Sequence, residues 1–544
     1  KGNRFVSLWT PITFVREFIS ANTGEITTEY KIRDKWGKPV SVMIEKGKVV
    51  TAPTEVLGKL HSLGWLFEIN ADKAFVHYMR VKSPDVIYTS LDSRGWDKKG
   101  LAFAAPNGAI FGASNAILRP DLVVGENVAR GGSLEGWRGV VNDVLALEGC
   151  AHWALAIAAG FVGPLVGLLN VPTSGLALCG ETSKGKTTAL KLAVSAWTSP
   201  DPQANRDGGL LVSLRGTSNS VDVLAENANH TVLALDETAM MQAKDLESLV
   251  FSVTSGAGKA RMNITGQGLR KSSVWQTFVL ISGEQSLAQR FEDATGKKMA
   301  KGAAARLLDV DVDALDVTVG DLDALRRIEG GMLENFGWAG PAFVQGLVGG
   351  GYLDRVGELQ ARLDQLMKGL NKGEAGLMGR AARVAALLLL GAELAEEFGV
   401  LSVGNAKSVA DAVDVIWGDF AESEAANPVE TMVGEMRQWI ASRLNMSIFS
   451  VDDTARHSVE ADGWFEGDTV YLLATRITKP SKGAAQRKAV VKALEEAGVL
   501  QREKRDRTTS SYIPKRGAVL HYRINAAKLG LVLDPDFEEA APEK

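Results

Sequence analysis

The chain has 544 residues, 45% hydrophobic and 23% charged, ordinary values for a globular protein of about three or four domains. A formal net charge of -4 excludes a polycation along the whole length, so a nucleic-acid surface must be a local patch. Two cysteines, Cys150 and Cys179, and six scattered histidines exclude a disulfide framework, leave no legible zinc site, and point to a reducing cytoplasm.

The start, KGNRFVSLWT, holds no apolar signal core and no initiating Met, so the chain is expected to be part of a longer polypeptide or to have lost its start. Residues 1–125 are expected to form a β-rich domain serving as a collar, an oligomerisation surface or a DNA entry. TTEYKIRDKWGKPVSVMIEKGKVV holds two alternating apolar runs around a polar turn at Lys35 to Pro39, a hairpin signal. DVIYTSLDSRGWDKKGLAFAAPNGAIFG is a second β-rich block, with Gly95 and Gly108 in turns. From Gly136 to Leu169 the pattern turns helical and apolar. Glu148 and Glu181 bracket a stretch without Asp, Glu, Lys or Arg, and AHWALAIAAGFVGPLVGLLN is long enough to span a bilayer. Pro164 and Pro172 interrupt it, His152 sits inside it and no basic flank follows. A buried core helix is therefore expected, and no membrane partner.

Residues 126–345 are expected to be the catalytic core. SGLALC, GGLLVSL, TVLAL and QTFVLIS are apolar strands, separated by the helical runs TTALKLAVSAW, SNSVDVLAENA and AKDLESLVFSVTSG. Such alternation predicts a parallel α/β sheet. After the first strand, Gly180-Glu181-Thr182-Ser183-Lys184-Gly185-Lys186-Thr187 matches G-x-x-x-x-G-K-[ST] in full, with a helix following through Thr188. The glycines let the loop approach phosphates, and its N–H groups and the helix N-terminus supply positive charge. Lys186 would reach the β- and γ-phosphates of ATP and Thr187 would hold Mg²⁺. Fifty residues after Lys186, TVLAL ends in Asp236-Glu237. Asp236 would anchor Mg²⁺ through water, and Glu237 would orient and polarise the attacking water. The interval leaves room for a helix, a strand and a helix, so one strand is expected between the two motif strands, as in motor-type P-loop ATPases.

GKARMNITGQGLRKSSVW forms the next expected hairpin, with Lys259, Arg261, Arg270 and Lys271 and no acidic residue. These cations either track a DNA phosphate backbone or are simply a solvated charged surface. QTFVLIS ends in Ser282-Gly283-Glu284, where either polar residue could sense the γ-phosphate. Arg306, before an apolar run, is the candidate for an arginine supplied to a neighbouring subunit's site, a surface ion pair being the alternative. Residues 346–428 are expected to be a helical lid, where Arg380 or Arg383 could be a second sensor or solvated; Arg383 is the candidate kept for the nucleotide. Residues 429–544 are expected to be a winged-helix domain. From Lys482 to Arg523 eleven Lys/Arg face four Asp/Glu, a local charge of +7, suited to duplex DNA or to protein docking.

Several motifs in order resemble one family: Arg94-Gly95-Trp96 with LAFAAP, GETSKGKTTALKLAVSAW, Leu214-Arg215-Gly216-Thr217-Ser218-Asn219, NHTVLALDET, LISGE and RVAALLLLGAELA. This is a P-loop family of long-uncharacterised domains from phage and mobile-element replication proteins. Some members, in staphylococcal cassette elements, are self-loading helicases related to the minichromosome-maintenance and superfamily-three ring motors. The resemblance covers about residues 25–400. Leu214 departs from the Trp of many members, and the Asp-rich run from Asp309 to Asp323 extends the region after Arg306. The resemblance implies an α/β AAA+ ATPase using ATP and Mg²⁺. It also implies a hexamer on single-stranded DNA, 3′-to-5′ movement, forked or duplex DNA as substrate, and a fused or associated primase. An initiator or loader that binds duplex DNA and uses ATP to switch assembly state is the alternative. A protein-threading machine is disfavoured by a hairpin without an aromatic tip.

Overall fold

The computed structural model describes residues 7–68, 70–112, 116–213, 218–236, 245–258, 261–262, 269–270, 274–296, 299, 306–315, 322–371, 376–422, 426–453, 461–480, 487–501 and 509–533. The chain divides into two compact units, one running to Trp417 and one from Gly418 onward, with Gly296–Lys298 counted in the second.

The first unit begins with a five-stranded sheet. Strands β1 (Ile12–Ser20), β2 (Ile26–Arg33) and β3 (Pro39–Glu45) are antiparallel, and β4 (Ile87–Leu91) and β8 (Ile117–Leu118) extend the sheet in parallel from β1. Period-two alternation turns Tyr30, Ile32, Val42 and Ile44 inward. They pack with Val49, Val56, Leu60, Phe75 and Met79 from three helices, α1 (Lys48–Thr51), α2 (Pro53–Ser62) and α3 (Asp72–Val81). These helices lie in the stretch expected to be strand-rich. Their signals were present: Pro53 at a first helical turn, and Phe75, Val76 and Met79 at helical spacing.

A small antiparallel sheet follows, β5 (Gly95–Trp96), β6 (Ala102–Ala104) and β7 (Ile110–Gly112). Phe103 is fully buried and stacks on Trp197 at 5.8 Å between ring centroids, so this sheet sits on the α/β core that follows.

That core holds α4 (Glu126–Ala129), α5 (Leu134–Leu145), α6 (Ala151–Leu168), β9 (Ser174–Cys179), α7 (Lys186–Ser195), β10 (Leu211–Ser213), α8 (Ser218–Asn227), β11 (Val232–Asp236), α9 (Leu246–Ser255), β12 (Arg261–Met262), β13 (Leu269–Arg270), β14 (Phe278–Gly283), α10 (Leu287–Thr295), β15 (Leu307–Asp311) and α11 (Leu322–Glu334). The central sheet is parallel throughout, in the order β10-β11-β14-β9-β15. One strand does separate β9 from β11. It is β14, which comes later in the chain, whereas β10, which lies between them in sequence, forms an edge.

The apolar helix α6 is long enough to cross a membrane by length and composition, and it is buried inside this unit. It packs against α7 and against α14 (Leu377–Glu397), one of four helices that follow the core: α12 (Ala339–Gly349), α13 (Val356–Asn371), α14 and α15 (Asn405–Glu422). Pro164 has no N–H for the Gly160 carbonyl one turn back. The Trp197 indole fills that role, donating to Gly160 O at 2.6 Å. At Gly163 the backbone of β11's entry comes so close that a Cβ would meet Thr231 O at 2.1 Å.

The second unit pairs α16 (Pro428–Ala441) and α17 (Arg487–Glu496) with a sheet ordered β16 (Ile448–Ser450), β17 (Gly463–Glu466), β18 (Thr469–Leu473), β21 (Gly517–Asn525), β19 (Leu500–Gln501), while β20 (Ser510–Ile513) hairpins onto β21. Its core includes Met436, Ile440, Val470, Leu472, Leu494 and Ile524.

Candidate nucleotide-binding site

The site forms at the C-terminal edge of the parallel sheet, where β9 ends and α7 begins. Gly180 (φ 142°) and Gly185 (φ 76°) take backbone angles that suit glycine, and Ser183 (φ 65°) takes a left-handed one. At Gly185 there is a second reason for glycine, since a Cβ would lie 2.7 Å from the Trp153 ring. Thr182, Ser183 and Lys184 complete the loop, and Lys186 opens α7, so the loop leads directly into a helix N-terminus, a cradle of the kind that suits an anion.

Behind the loop stand two side chains that the motif does not announce. Trp153 donates its indole N–H to Gly185 O at 2.9 Å, and His152 Nε2 lies 3.0 Å from Lys184 O, so it carries the donating proton. Both come from the start of α6. The helix that looked like a membrane span is the back wall of the phosphate loop.

In front, the Lys186 ammonium donates to Gly180 O at 2.7 Å and to Glu181 O. Burial lowers its pKa, while the carboxylates of Asp313, Glu284 and Asp236 act in the opposite sense. Thr187 Oγ1 donates to Asp236 Oδ2 at 3.1 Å, and Ser282 Oγ donates to Asp236 Oδ1. Three adjacent strands and α7 thus bring Lys186, Thr187, Asp236 and Ser282 together. A hydroxyl beside a carboxylate is a hard-oxygen pair that suits Mg²⁺, which binds through one or two carboxylates and takes its other ligands from phosphates and water. Asp313, just past β15, accepts from Glu181 N at 2.8 Å and so holds the front of the loop, another contact with no sequence signature. Thr188 is buried, and its hydroxyl is directed to Glu329 of α11 at 3.4 Å rather than into the cradle.

Arg306 lies at the other edge. Its carbonyl accepts from Gly175 N at 3.0 Å, at the start of β9, and Leu307 pairs with Gly175. Five residues of strand, roughly 16 Å, separate that edge from Gly180. Its guanidinium donates to Thr254 Oγ1 at 3.2 Å and lies 6.0 Å from the Phe251 ring centroid. Arg383 is half-buried on α14, and among the described residues it is not bonded to the loop. Glu237, Lys259 and Lys271 lie outside the described residues, as do the side chains of Arg261 and Arg270, whose backbones are register partners in the β12–β13 pair. Leu214 to Thr217 and the wing cations Arg502, Lys504, Arg505 and Arg507 also lie outside them. In the second unit, Lys515 pairs with Asp452, and Arg516 donates to Asp453 O, so these two wing cations are engaged within their own unit.

Two motifs quoted separately from the sequence meet in space. Arg94 is buried and donates to Leu122 O and Asn227 O at 2.9 Å and to Gly208 O at 3.3 Å. Burial lowers its pKa to about 10, which leaves it charged at neutral pH. Trp96 N donates to His230 Nδ1 at 2.8 Å, and Asn229 Nδ2 donates to Arg94 O at 2.8 Å. The Trp96 indole donates to Pro164 O at 2.9 Å. Gly95 (φ 85°) is needed because a Cβ would lie 2.4 Å from His230 Nδ1. The Arg-Gly-Trp segment is therefore locked onto the residues that lead into β11, the strand ending in Asp236.

Burial depresses both His152 and His230 from 6.5 to about 4. Between these values the unfolded chain binds more protons than the folded one. Stability from these two sites is thus full above pH 6.5 and falls as pH drops toward 4, by up to about 1.4 kcal/mol per pH unit for each imidazole. A urea midpoint measured from pH 7.5 down to pH 5 is expected to fall. His152→Asn/His230→Asn should flatten that slope, and an unchanged slope would remove these imidazoles as its source.

The phosphate loop after β9, the carboxylate ending β11 and the strand set between them define a P-loop nucleotide-binding fold built on a parallel α/β sheet. Residues 1–274 match the family described as "Domain of unknown function (DUF927)", and the chain belongs to that family. None of the curated proteins matches it. Among solved structures, "SCCmec type IV Cch - active helicase" is similar over 98% of this chain and 97% of its own, with a TM-score of 0.70 at 17% identity, a likeness of fold. The Aeropyrum pernix ORC2 protein in its ADP form overlaps 69% of this chain and 89% of its own at 13% identity, but with a TM-score of 0.17 no shared fold is argued from it.

Proposed function

We propose that the protein is an ATP-dependent DNA helicase of a phage, plasmid or other mobile element, acting in the cytoplasm as a hexameric ring on single-stranded DNA, with 3′-to-5′ movement. One observation carries the reading: the catalytic set is split between two edges of one sheet. Lys186, Thr187, Asp236 and Ser282 converge at the C-terminal edge, while Arg306 stands at the opposite edge, out of reach of its own loop. Head-to-tail packing of copies would bring the two edges together, and such packing generates a ring where the rotation between copies closes. The fold likeness to a protein titled an active helicase supports the same reading.

In this arrangement the loop amides and Lys186 would hold the triphosphate of ATP, and Thr187 with Asp236 would hold Mg²⁺, which would supply charge neutralisation for the phosphates. Ser282 keeps the Asp236 carboxylate oriented, as its hydrogen bond already does. Glu237 follows directly and would draw the proton from the attacking water. Arg306 of the next copy stabilises the charge that develops on the transferred phosphoryl group. The β12–β13 hairpin, with Lys259, Arg261, Arg270 and Lys271, would carry the motion to the strand. Residues 346–428 serve as a lid on the nucleotide, with Arg383 as second sensor, and 429–544 as a winged-helix domain; the β20–β21 hairpin supports the latter. A primase fused to or recruited by the chain would complete the replication role.

A forked duplex with a 3′ tail tests the proposal. ATP and Mg²⁺ are expected to release the displaced strand, and Lys186→Ala to abolish release. ATP hydrolysis with no strand displaced from any fork would instead favour a duplex-binding initiator.

A further inference from the structure

The β2–β3 turn holds an unusual side chain. Trp36 is 78% exposed, whereas each of the other eleven tryptophans is buried or half-buried. Its indole stands at a hairpin tip outside the hydrophobic core, with the Lys35 ammonium over its ring. The tip is not loose. Gly37 N donates to Asp34 O at 2.9 Å, and Gly37 (φ 81°) takes the left-handed angle that closes such a turn. Asp34 Oδ1 accepts from Trp36 N at 2.9 Å and Lys38 N at 2.8 Å, and the Arg33 guanidinium donates to Gly37 O at 2.7 Å. From below, Gly64 (φ 92°) presses against the turn so closely that a Cβ would lie 2.8 Å from Lys35 N. Trp36 therefore stands on a rigid pedestal.

Around it the charge is of one sign. Lys31, Arg33, Lys35 and Lys38 are all exposed, against a single carboxylate, Asp34, whose oxygen is engaged by the turn amides. The Lys35 ammonium lies 4.2 Å from the indole centroid. An exposed aromatic ring on a cation-rich hairpin matches a ligand with flat, exposed π faces and a negatively charged backbone, which is an unpaired nucleic-acid strand. A duplex keeps its base faces inside its own stack, and an acidic peptide offers charge without the flat rings.

We propose that Trp36 is a base-stacking platform for single-stranded DNA, with Lys31, Arg33, Lys35 and Lys38 on the flanking phosphates. This is a contact separate from the β12–β13 hairpin. It rests on the helicase reading, since it names a second place where that enzyme holds its strand.

The test uses the full chain. Oligo(dT) carrying 5-iodouracil is irradiated with the protein and the joined peptide is identified; affinity for oligo(dT) and for a blunt duplex is followed by anisotropy over a range of salt. The crosslink is expected in the peptide containing Trp36. Trp36→Ala should weaken oligo(dT) binding about tenfold and duplex binding little, while Trp36→Phe, which keeps a ring, should stay within about threefold. Lys35→Gln with Lys38→Gln should lower the salt slope by about 1.4. A wild-type protein that binds oligo(dT) while Trp36→Ala binds it equally well, with crosslinks elsewhere, would overturn the platform and leave the helicase reading standing. An equal loss on the duplex would also overturn stacking. A wild-type protein that binds no oligonucleotide would end both.

Discussion

Glu237→Gln is expected to slow ATP hydrolysis by about 10²- to 10⁴-fold, the range for loss of a general base, while nucleotide binding stays within a few-fold. The expectation follows from its neighbour. Asp236 closes β11 at the cradle's edge and is bonded to both Thr187 and Ser282, so the strand ends beside the phosphate loop. On the proposed function, the next carboxylate in the chain, Glu237, would be the group that takes a proton from water. Glutamine keeps the shape and cannot take it. Binding is read with a fluorescent ATP analogue and turnover in a single-turnover experiment. Brisk hydrolysis by the variant would remove Glu237 from this role.

Arg306→Ala should be costlier still, about 10³- to 10⁵-fold in turnover, if its guanidinium completes the neighbouring site. Its fold cost should be small, because it is half-exposed and its guanidinium donates to Thr254 Oγ1. The decisive arrangement mixes two inactive proteins. Arg306→Ala subunits keep Glu237, and Glu237→Gln subunits keep Arg306. In a head-to-tail ring, about one interface in four of a random equal mixture joins the two intact halves, and activity should return in that proportion. Were Arg306 to act within its own chain, no mixture would recover anything. Dead mixtures that still form rings would refute the shared site.

The parts of this site that were legible in the sequence are those in which one short segment carries its own chemistry. The Gly180–Thr187 loop needs glycine, lysine and threonine at fixed offsets, and the apolar run before Asp236 marks a strand end. The strand-and-helix alternation from Ser174 onward likewise follows from burial on both faces of a parallel sheet. What was hidden depends on partners far apart in the chain. Pro164 and His152 already favour a buried helix over a membrane span, but nothing in Ala151–Leu168 shows that it walls a phosphate loop until Trp153 and His152 are seen against Gly185 and Lys184. Asp313 sits in the Asp-rich run after Arg306, where no motif marks it, and it accepts from Glu181 N 132 residues away. The helices at Pro53–Ser62 and Asp72–Val81 were short enough for the strands on either side to dominate the pattern.

The junction between Arg94-Gly95-Trp96 and Asn229-His230 bears on how this chain can be divided. Its front end is not an exchangeable attachment. Transplanting the leading residues onto a different P-loop core would strand Trp96 without the imidazole that accepts its amide hydrogen bond, and Phe103 without the indole it stacks on. Both sides of that joint must be inherited together. The family match that runs unbroken from residue 1 to residue 274 spans both.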